Sequence, residues 1–336
     1  MHVTLYHDCD IPIPPPRYGG TERVIYWLGK ALIQLGHRVT LLARPGSTIP
    51  GAELRPLTDR YTQENGWMHL IPSSCDLLHL WRPPRAPIAR PCLVTMESNG
   101  RSGVYFPTNT VFVSRDHAAN HGSQHFVYNG IDPSEYDCCA ARDEYAVFLG
   151  LGRQRRKNLA GAIQVARAAG ITLHVLGSRT WPLDLQRLLP TIRGVRYHGM
   201  VGGREKRELL SRARCLIFPV RYAEPCALAI VEALASGCYV VGTPYGCLPE
   251  LVTPGVGQLS ADARDLVGAI HTPARYLPAT CRGRVVDGGL THLDMARSYL
   301  RYYESVLTRG RLGDADERPP RTEPGFEYRH LLPWSV

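Results

Sequence analysis

Residues Glu224–Glu250 read EPCALAIVEALASGCYVVGTPYGCLPE. Two carboxylates, Glu224 and Glu232, stand eight residues apart around an apolar run that opens with Pro225. Proline suits a first helical turn, where its missing N–H removes no bond, and Gly237 is placed to stop the helix. Between Pro225 and Ser236, Glu232 is the one polar side chain, flanked by Val231, Ala233 and Leu234. A helix this apolar is buried, and an unpartnered carboxylate inside it loses on the order of several kcal/mol on desolvation. No basic residue lies at helical spacing. The donors therefore come from another segment or from a ligand, and a hydroxyl-rich ligand suits the need.

Working outward, strand-like runs alternate with helical ones. His2–His7 leads through a proline-rich loop to a helix over Thr21–Gly36, with Val24, Ile25, Leu28, Leu32 and Leu35 at helical spacing and Thr21 as N-cap. Arg38–Ala43, Asp76–Leu80, Cys92–Met96 and Thr110–Val113 read as short buried strands. A second series runs from strand Tyr145–Leu149 through helix Leu159–Ala169, strand Thr172–Leu176, strand Cys215–Pro219 and the Pro225 helix to strand Cys238–Gly242. Such alternation predicts an α/β protein of two doubly wound parallel-sheet domains facing a cleft. The expected boundaries are 1–132 and 144–289, with a polar linker over 132–143 and a helix over 290–307 following both series. A charged, proline-rich tail covers 309–336, with apolar anchors at Phe326, Leu331, Leu332 and Trp334.

The chain has 336 residues, 44% of them hydrophobic, enough for a large core. The first strand is too short and too soon interrupted by Asp8 and Asp10 for a signal peptide. No apolar run is long enough for a membrane span, so a cytoplasmic protein is expected. Ten cysteines show no paired C-x-x-C spacing and read as reduced thiols. Net charge is +9, yet only three of the 39 basic residues are lysines: Lys30, Lys157 and Lys206. Arginine forks fit phosphate, so the excess suits a nucleotide, an anionic acceptor or nucleic acid. Genomic base composition explains it equally well.

Five segments together carry a resemblance: PPRYGGTERVIYWLGKALIQLGHRVTLLA (residues 15–43), YNGID (128–132), GRQRRKNL (152–159), the opening segment, and THLDMARSYLRYYESVL (291–307). In order and spacing the chain resembles retaining GT-B-fold glycosyltransferases of family 4 (glycosyltransferase group 1) over residues 2–307. The proline-rich loop before YGGTE is most similar to a subgroup with antibiotic and pterin glycosyltransferases. The resemblance implies two Rossmann-like domains, the first on the acceptor side and completed by the returning helix 290–307, the second binding the nucleotide sugar.

For the site, the resemblance implies that Glu224 accepts from sugar hydroxyls and Glu232 from the ribose. The amides of Cys226, Ala227 and Leu228, at the positive end of the helix dipole, would face the diphosphate. Arg153 and Lys157 would neutralise the leaving phosphate. They stand four apart, one residue tighter than in the family, with Arg155 and Arg156 between. Gly19 and Gly20, flanked by Tyr18 and Thr21, would let a diphosphate or acceptor approach the backbone. Where the family commonly has a histidine after the strand PCLVTM, this chain has Glu97, a candidate to stabilise charge at the anomeric carbon or accept a proton. His79 is the alternative counterpart. The family also reads E-P-F-G-L where this chain has Glu224-Pro225-Cys226-Ala227-Leu228, which narrows the sugar pocket.

Asp8-Cys9-Asp10 spells D-x-D, a metal–diphosphate motif of another glycosyltransferase fold, but its place directly after strand one reads as a turn or acceptor-side element. His117, His121 and His125 are spaced by four, and Gly122 interrupts the helix that would align them for a metal. The expected function is retaining, metal-independent transfer of a hexose from a nucleoside diphosphate sugar, UDP-glucose before GDP-mannose, to an unidentified acceptor. No cofactor is expected beyond that co-substrate. Competing classes are a nucleic-acid-modifying glycosyltransferase, a nucleic-acid-binding protein, and a GT-B-fold epimerase.

Overall fold

The computed structural model describes residues 1–17, 19–58, 66–177, 194–272, 276–313, 319–322 and 330–335. Tyr18 and Phe326, each given a role above, lie outside the described residues. The chain divides into unit 1 (Met1–Ile131 with Thr291–Glu327) and unit 2 (Asp132–Leu290 with Tyr328–Val336). Residues 132–143, read as a linker, thus fall in unit 2.

Unit 1 holds six parallel strands: β1 (His2–Tyr6), β2 (Arg38–Ala43), β3 (Glu53–Pro56), β4 (Leu77–Leu80), β5 (Cys92–Met96) and β6 (Thr110–Phe112). Their order is β3-β2-β1-β4-β5-β6. Unit 2 repeats the plan with β7 (Asp143–Leu149), β8 (Thr172–Leu176), β9 (Val195–Gly199), β10 (Ala213–Phe218), β11 (Tyr239–Gly242) and β12 (Gly257–Leu259), ordered β12-β11-β10-β7-β8-β9. In both sheets the direction of winding reverses beside the first strand, between β1 and β4 and between β7 and β10. Loops leaving the strand ends at such a point diverge and open a crevice, the usual ligand site of doubly wound sheets. β3, β9 and β12 were not anticipated. They are edge strands, and Glu53–Pro56 and Val195–Gly199 carry polar residues where water reaches them.

The first helix is Gly20–Gln34, one residue earlier than read, and Thr21 is not its N-cap. Gly19 caps it at φ +152°, and a Cβ there would stand 2.7 Å from both Glu22 Oε2 and Pro15 Cβ. Crowding forces glycine at this position, and backbone conformation permits it. The last long helix is His292–Arg309, opened by a capping box in which Thr291 and Asp294 satisfy each other's backbone N–H groups. It docks inside unit 1, where His292 donates its amide to the Ile131 carbonyl at 2.7 Å.

That helix also explains His79. In the middle of β4 and fully buried, His79 bonds Tyr303 OH and Thr95 Oγ1, each at 2.7 Å, while Thr95 bonds Tyr299 OH at 2.9 Å. It is a core histidine with both ring nitrogens committed, not a sugar ligand. Burial pushes its pKa down to about 3 and that of His121 down to about 4, and holds that of His117 well below the usual range. His117 and His121 pack on Phe112 and each other, with ring centroids about 5 Å apart, as aromatic core rather than metal ligands.

Because the unfolded chain binds these protons near pH 6.5 and the folded chain does not, stability is complete above that pH and falls below it. Between pH 6.5 and 5 each histidine should remove roughly 2 kcal/mol. Thermal melts against pH should show this loss, and His121→Phe should reduce it by one histidine's share, roughly 2 kcal/mol.

Candidate functional site

Where the winding of the unit 2 sheet reverses, the loops after β7 and β10 bring Lys157 and Glu224 together. Lys157 closes a short 3-10 turn, Arg155–Lys157, in the loop after β7, and Glu224 lies in the loop after β10. The two loops are tied by Asn158, which holds left-handed backbone at φ 55°, donates Nδ2 to the Pro219 carbonyl at 3.0 Å and caps helix Leu159–Ala168 through Gly161 N–H. Lys157 Nζ meets Glu224 Oε2 at 2.6 Å with both side chains largely buried. Tyr222 donates its hydroxyl to the same oxygen at 2.5 Å. The ammonium also lies 5.3 Å from the ring centroids of Phe218 and Tyr222, and the Arg156 guanidinium is 4.7 Å from that of Tyr222. Burial, with the Glu224 charge adding to it, holds the Tyr222 phenol well above its usual pKa, so it remains a donor. Arg153 is exposed. Of the arginines in this turn, Arg156 is the one stacked against a side chain that bonds Glu224.

Gly246 seats the third loop of the site. At φ +63°, a Cβ there would stand 2.2 Å from Glu224 N, and the next residue, Cys247, donates its amide to the Glu224 carbonyl at 2.9 Å. This contact gives the trailing GCLPE its structural meaning. The C-terminal residues border the same loops: Leu332 accepts from Arg221 Nε at 2.7 Å and Pro333 accepts from Tyr245 OH at 2.6 Å.

The helix itself is Leu228–Ala235, with Ala227 as N-cap, so Pro225 precedes it by three residues instead of opening it. The Ala227 N–H is aimed at the buried Cys247 thiol, Cys226 is half-buried outside the helix, and the Leu228 amide opens the first turn. Glu232, on the second turn, is buried and accepts at Oε1 from Tyr136 OH at 2.7 Å and from Lys206 Nζ of helix Gly203–Arg212. Of the two sources weighed, another segment or a ligand, the first supplies the donors here: a lysine and a tyrosine. Tyr136, Lys206 and Tyr222 carried no recognised motif. One signal was available: two of the chain's three lysines neutralise its two key carboxylates.

In unit 1, Glu97 follows β5 as expected. Its residue surface is half-buried but Oε1 is out of solvent contact, and Oε2 accepts from Asn129 Nδ2 at 2.8 Å. Burial pushes its carboxyl up to about 7, against the Asn129 and Trp81 donors, and the Glu22 charge adds to the rise. Gly19 and Gly20 begin the helix that carries Glu22, beside the loop after β1.

Residues 145–274, which contain Lys157, Lys206, Tyr222, Glu224 and Glu232, match the protein family described as glycosyl transferases group 1. The paired six-stranded parallel sheets are the GT-B architecture of glycosyltransferases. The chain is similar in fold to AviGT4, a glycosyltransferase involved in avilamycin A biosynthesis, at 24% identity and TM-score 0.74 over 92% of this chain and 98% of that one. It is similar to sucrose-phosphate synthase from Thermosynechococcus elongatus at 19% identity and TM-score 0.68, over 91% and 98%. HepE of Anabaena, solved in complex with UDP-glucose, follows at 12% identity and TM-score 0.65, over 91% and 100%. No curated protein sequence matches the chain.

Replacing Lys206 by Met strands the Glu232 charge, and urea unfolding at pH 7 should record a loss of about 3–5 kcal/mol. Adding Glu232→Gln should restore more than half of it. Glu97 behaves oppositely to the histidines. Its raised pKa means that the folded chain holds a proton the unfolded chain has released between pH 4.5 and 7, so stability falls as pH rises through that window. Glu97→Gln should therefore stabilise the protein by on the order of 1–3 kcal/mol at pH 8 and by nothing at pH 4, in the same unfolding assay.

Proposed function

We propose that the chain is a retaining glycosyltransferase that moves a hexose from a nucleoside diphosphate sugar, UDP-glucose before GDP-mannose, to an acceptor hydroxyl. The observation that carries this reading is the buried Lys157–Glu224 pair at the crevice of unit 2, 2.6 Å apart and inside the segment that matches glycosyl transferases group 1. Breaking a sugar–phosphate bond leaves negative charge on the phosphate oxygen. A cation already fixed by Glu224, Phe218 and Tyr222 meets that charge without reorganising. Arg156 and Arg153 extend the positive loop, and the Leu228 amide adds the helix dipole. Glu224 accepts from the sugar hydroxyls, which places the anomeric carbon, and Glu232 accepts from the ribose with Lys206 as its counter-ion.

In this reading the departing phosphate oxygen takes the acceptor proton on the face it leaves, so configuration is retained and no enzyme nucleophile forms a bond. With lysine, arginine and amide donors on the leaving group, the diphosphate needs no metal. UDP-glucose is favoured by the subgroup resemblance, and HepE, of similar fold, binds it. The protein is expected to work in the cytoplasm, where its ten thiols, none of them in a disulfide, stay reduced. The arginine excess argues less for nucleic acid than its count suggests. Arg142 and Arg282 of unit 2 give their guanidinium donors to backbone carbonyls, Arg142 to those of Ser211, Ser236 and Gly237, and Arg282 to those of Pro133, Tyr136 and Ala235.

A thermal-shift screen should show UDP-glucose or GDP-mannose raising Tm, and Glu224→Gln should lower kcat/KM for the shifting donor by about 10²–10³-fold. Full activity in that variant, or no shift with any nucleotide sugar, overturns the proposal. An epimerised sugar from donor alone points to the epimerase class.

A further inference from the structure

Among the described residues, one group of three histidine, cysteine and carboxylate side chains brings its ligand atoms within 4.8 Å of one another: His7, Cys9 and Glu22. His7 and Cys9 follow β1, and Glu22 lies in the first turn of helix Gly20–Gln34, so the trio stands where the winding of the unit 1 sheet reverses. His7 and Glu22 are buried, with Nε2 and Oε1 3.2 Å apart, and Cys9 is half-buried. His7 Nδ1 has no hydrogen-bond partner although it is out of solvent contact.

We propose that His7, Cys9 and Glu22 form a binding site for one borderline-soft divalent cation of the Zn²⁺ class. One nitrogen, one sulfur and one oxygen suit Zn²⁺ or Co²⁺, whereas Mg²⁺ and Ca²⁺ select all-oxygen sites. Tetrahedral bonds of ordinary zinc length put neighbouring ligand atoms about 3.3–3.6 Å apart. The His7 Nε2–Glu22 Oε1 separation of 3.2 Å is close to that range, and the Cys9 thiol lies within 4.8 Å of the ligand atoms of both. Loading releases the Cys9 thiol proton. A dication with one thiolate and one carboxylate is then electrically neutral, the condition burial favours.

Two further features fit. A side chain at position 19 would press on Glu22 Oε2 at 2.7 Å, so Gly19 preserves the space beside that ligand. Cys9 also lines a cavity of about 530 Å³ with Asp8, Asp10 and Arg44, which gives the ion a path in. Three protein ligands leave a fourth position for an exchangeable group. Within Asp8-Cys9-Asp10 the ligand is thus the middle residue, not the two aspartates of a D-x-D reading. This site is independent of the donor chemistry proposed for unit 2.

The test is a Co²⁺ titration of the full chain, reduced and freed of metal by chelator, followed in the near-ultraviolet and visible. A thiolate-to-cobalt charge-transfer band saturating at one equivalent is expected, displaced by Zn²⁺ and absent in Cys9→Ser. His7→Gln should weaken Co²⁺ binding by on the order of 100-fold, and Glu22→Gln by roughly 10-fold or more. Circular dichroism checks that each variant is folded. Cys9→Ser changes little volume, so it decides the matter even where His7→Gln does not fold. No charge-transfer band in the parent protein, or a band that survives in Cys9→Ser and so belongs to another thiol, overturns the proposal. Neither result bears on turnover of a nucleotide sugar.

Discussion

Two carboxylates are held out of water in unit 2, and each is neutralised by a lysine. An ionised carboxylate removed from solvent without a partner costs several times the net interaction energy of an ordinary hydrogen bond, so roughly 3–5 kcal/mol turns on each partner being in place. The consequences reach well beyond the pairs. Lys157 is held by a 3-10 turn whose end is tied to the Pro219 carbonyl through Asn158, and Glu224 is held by the Gly246 loop packed on its backbone. Glu232 draws helix Gly203–Arg212 and the Tyr136 segment onto helix Leu228–Ala235. The same pairs fix both ammonium groups in place, Lys157 between two loops and Lys206 against a buried helix.

Parallel-sheet topology explains why the crevices are where they are. Both sheets start winding in one direction from a central strand and then reverse, so the loops after β1 and β4, and after β7 and β10, part from one another. In unit 2 that place holds Lys157 and Glu224. In unit 1 it holds His7, with Glu22 at the head of the adjoining helix. One backbone plan, used twice, presents two different chemistries because the residues at the loop ends differ.

Much of the fold was legible in the residue pattern. β2, β5 and β8 agree with the sequence reading to the residue, because a fully buried parallel strand is a short apolar run bounded by polar turns. Edge strands β3 and β9 were missed, since one side of each meets water and their polar residues blur the signal. The helix start at Leu228 was misread because Pro225 is equally at home in the extended turn before a helix. Thr21 lost the cap to Gly19 for a steric reason that propensity does not contain.

For the site, residue order alone singled out Glu224 and Glu232, because carboxylates stand out around an apolar helix, and Lys157 was added by the resemblance to group 1 glycosyltransferases. Their partners did not stand out. Lys157 reaches Glu224 across 67 positions, Lys206 reaches Glu232 across 26, and Tyr136 reaches it across 96. His79, offered as the alternative counterpart of the family's histidine, is bonded to Tyr303, 224 positions away. A charge in a helix declares that it needs a counter-ion, which is a local fact of desolvation. Which side chain supplies it is settled only when the sheets close and bring distant loops within hydrogen-bonding reach.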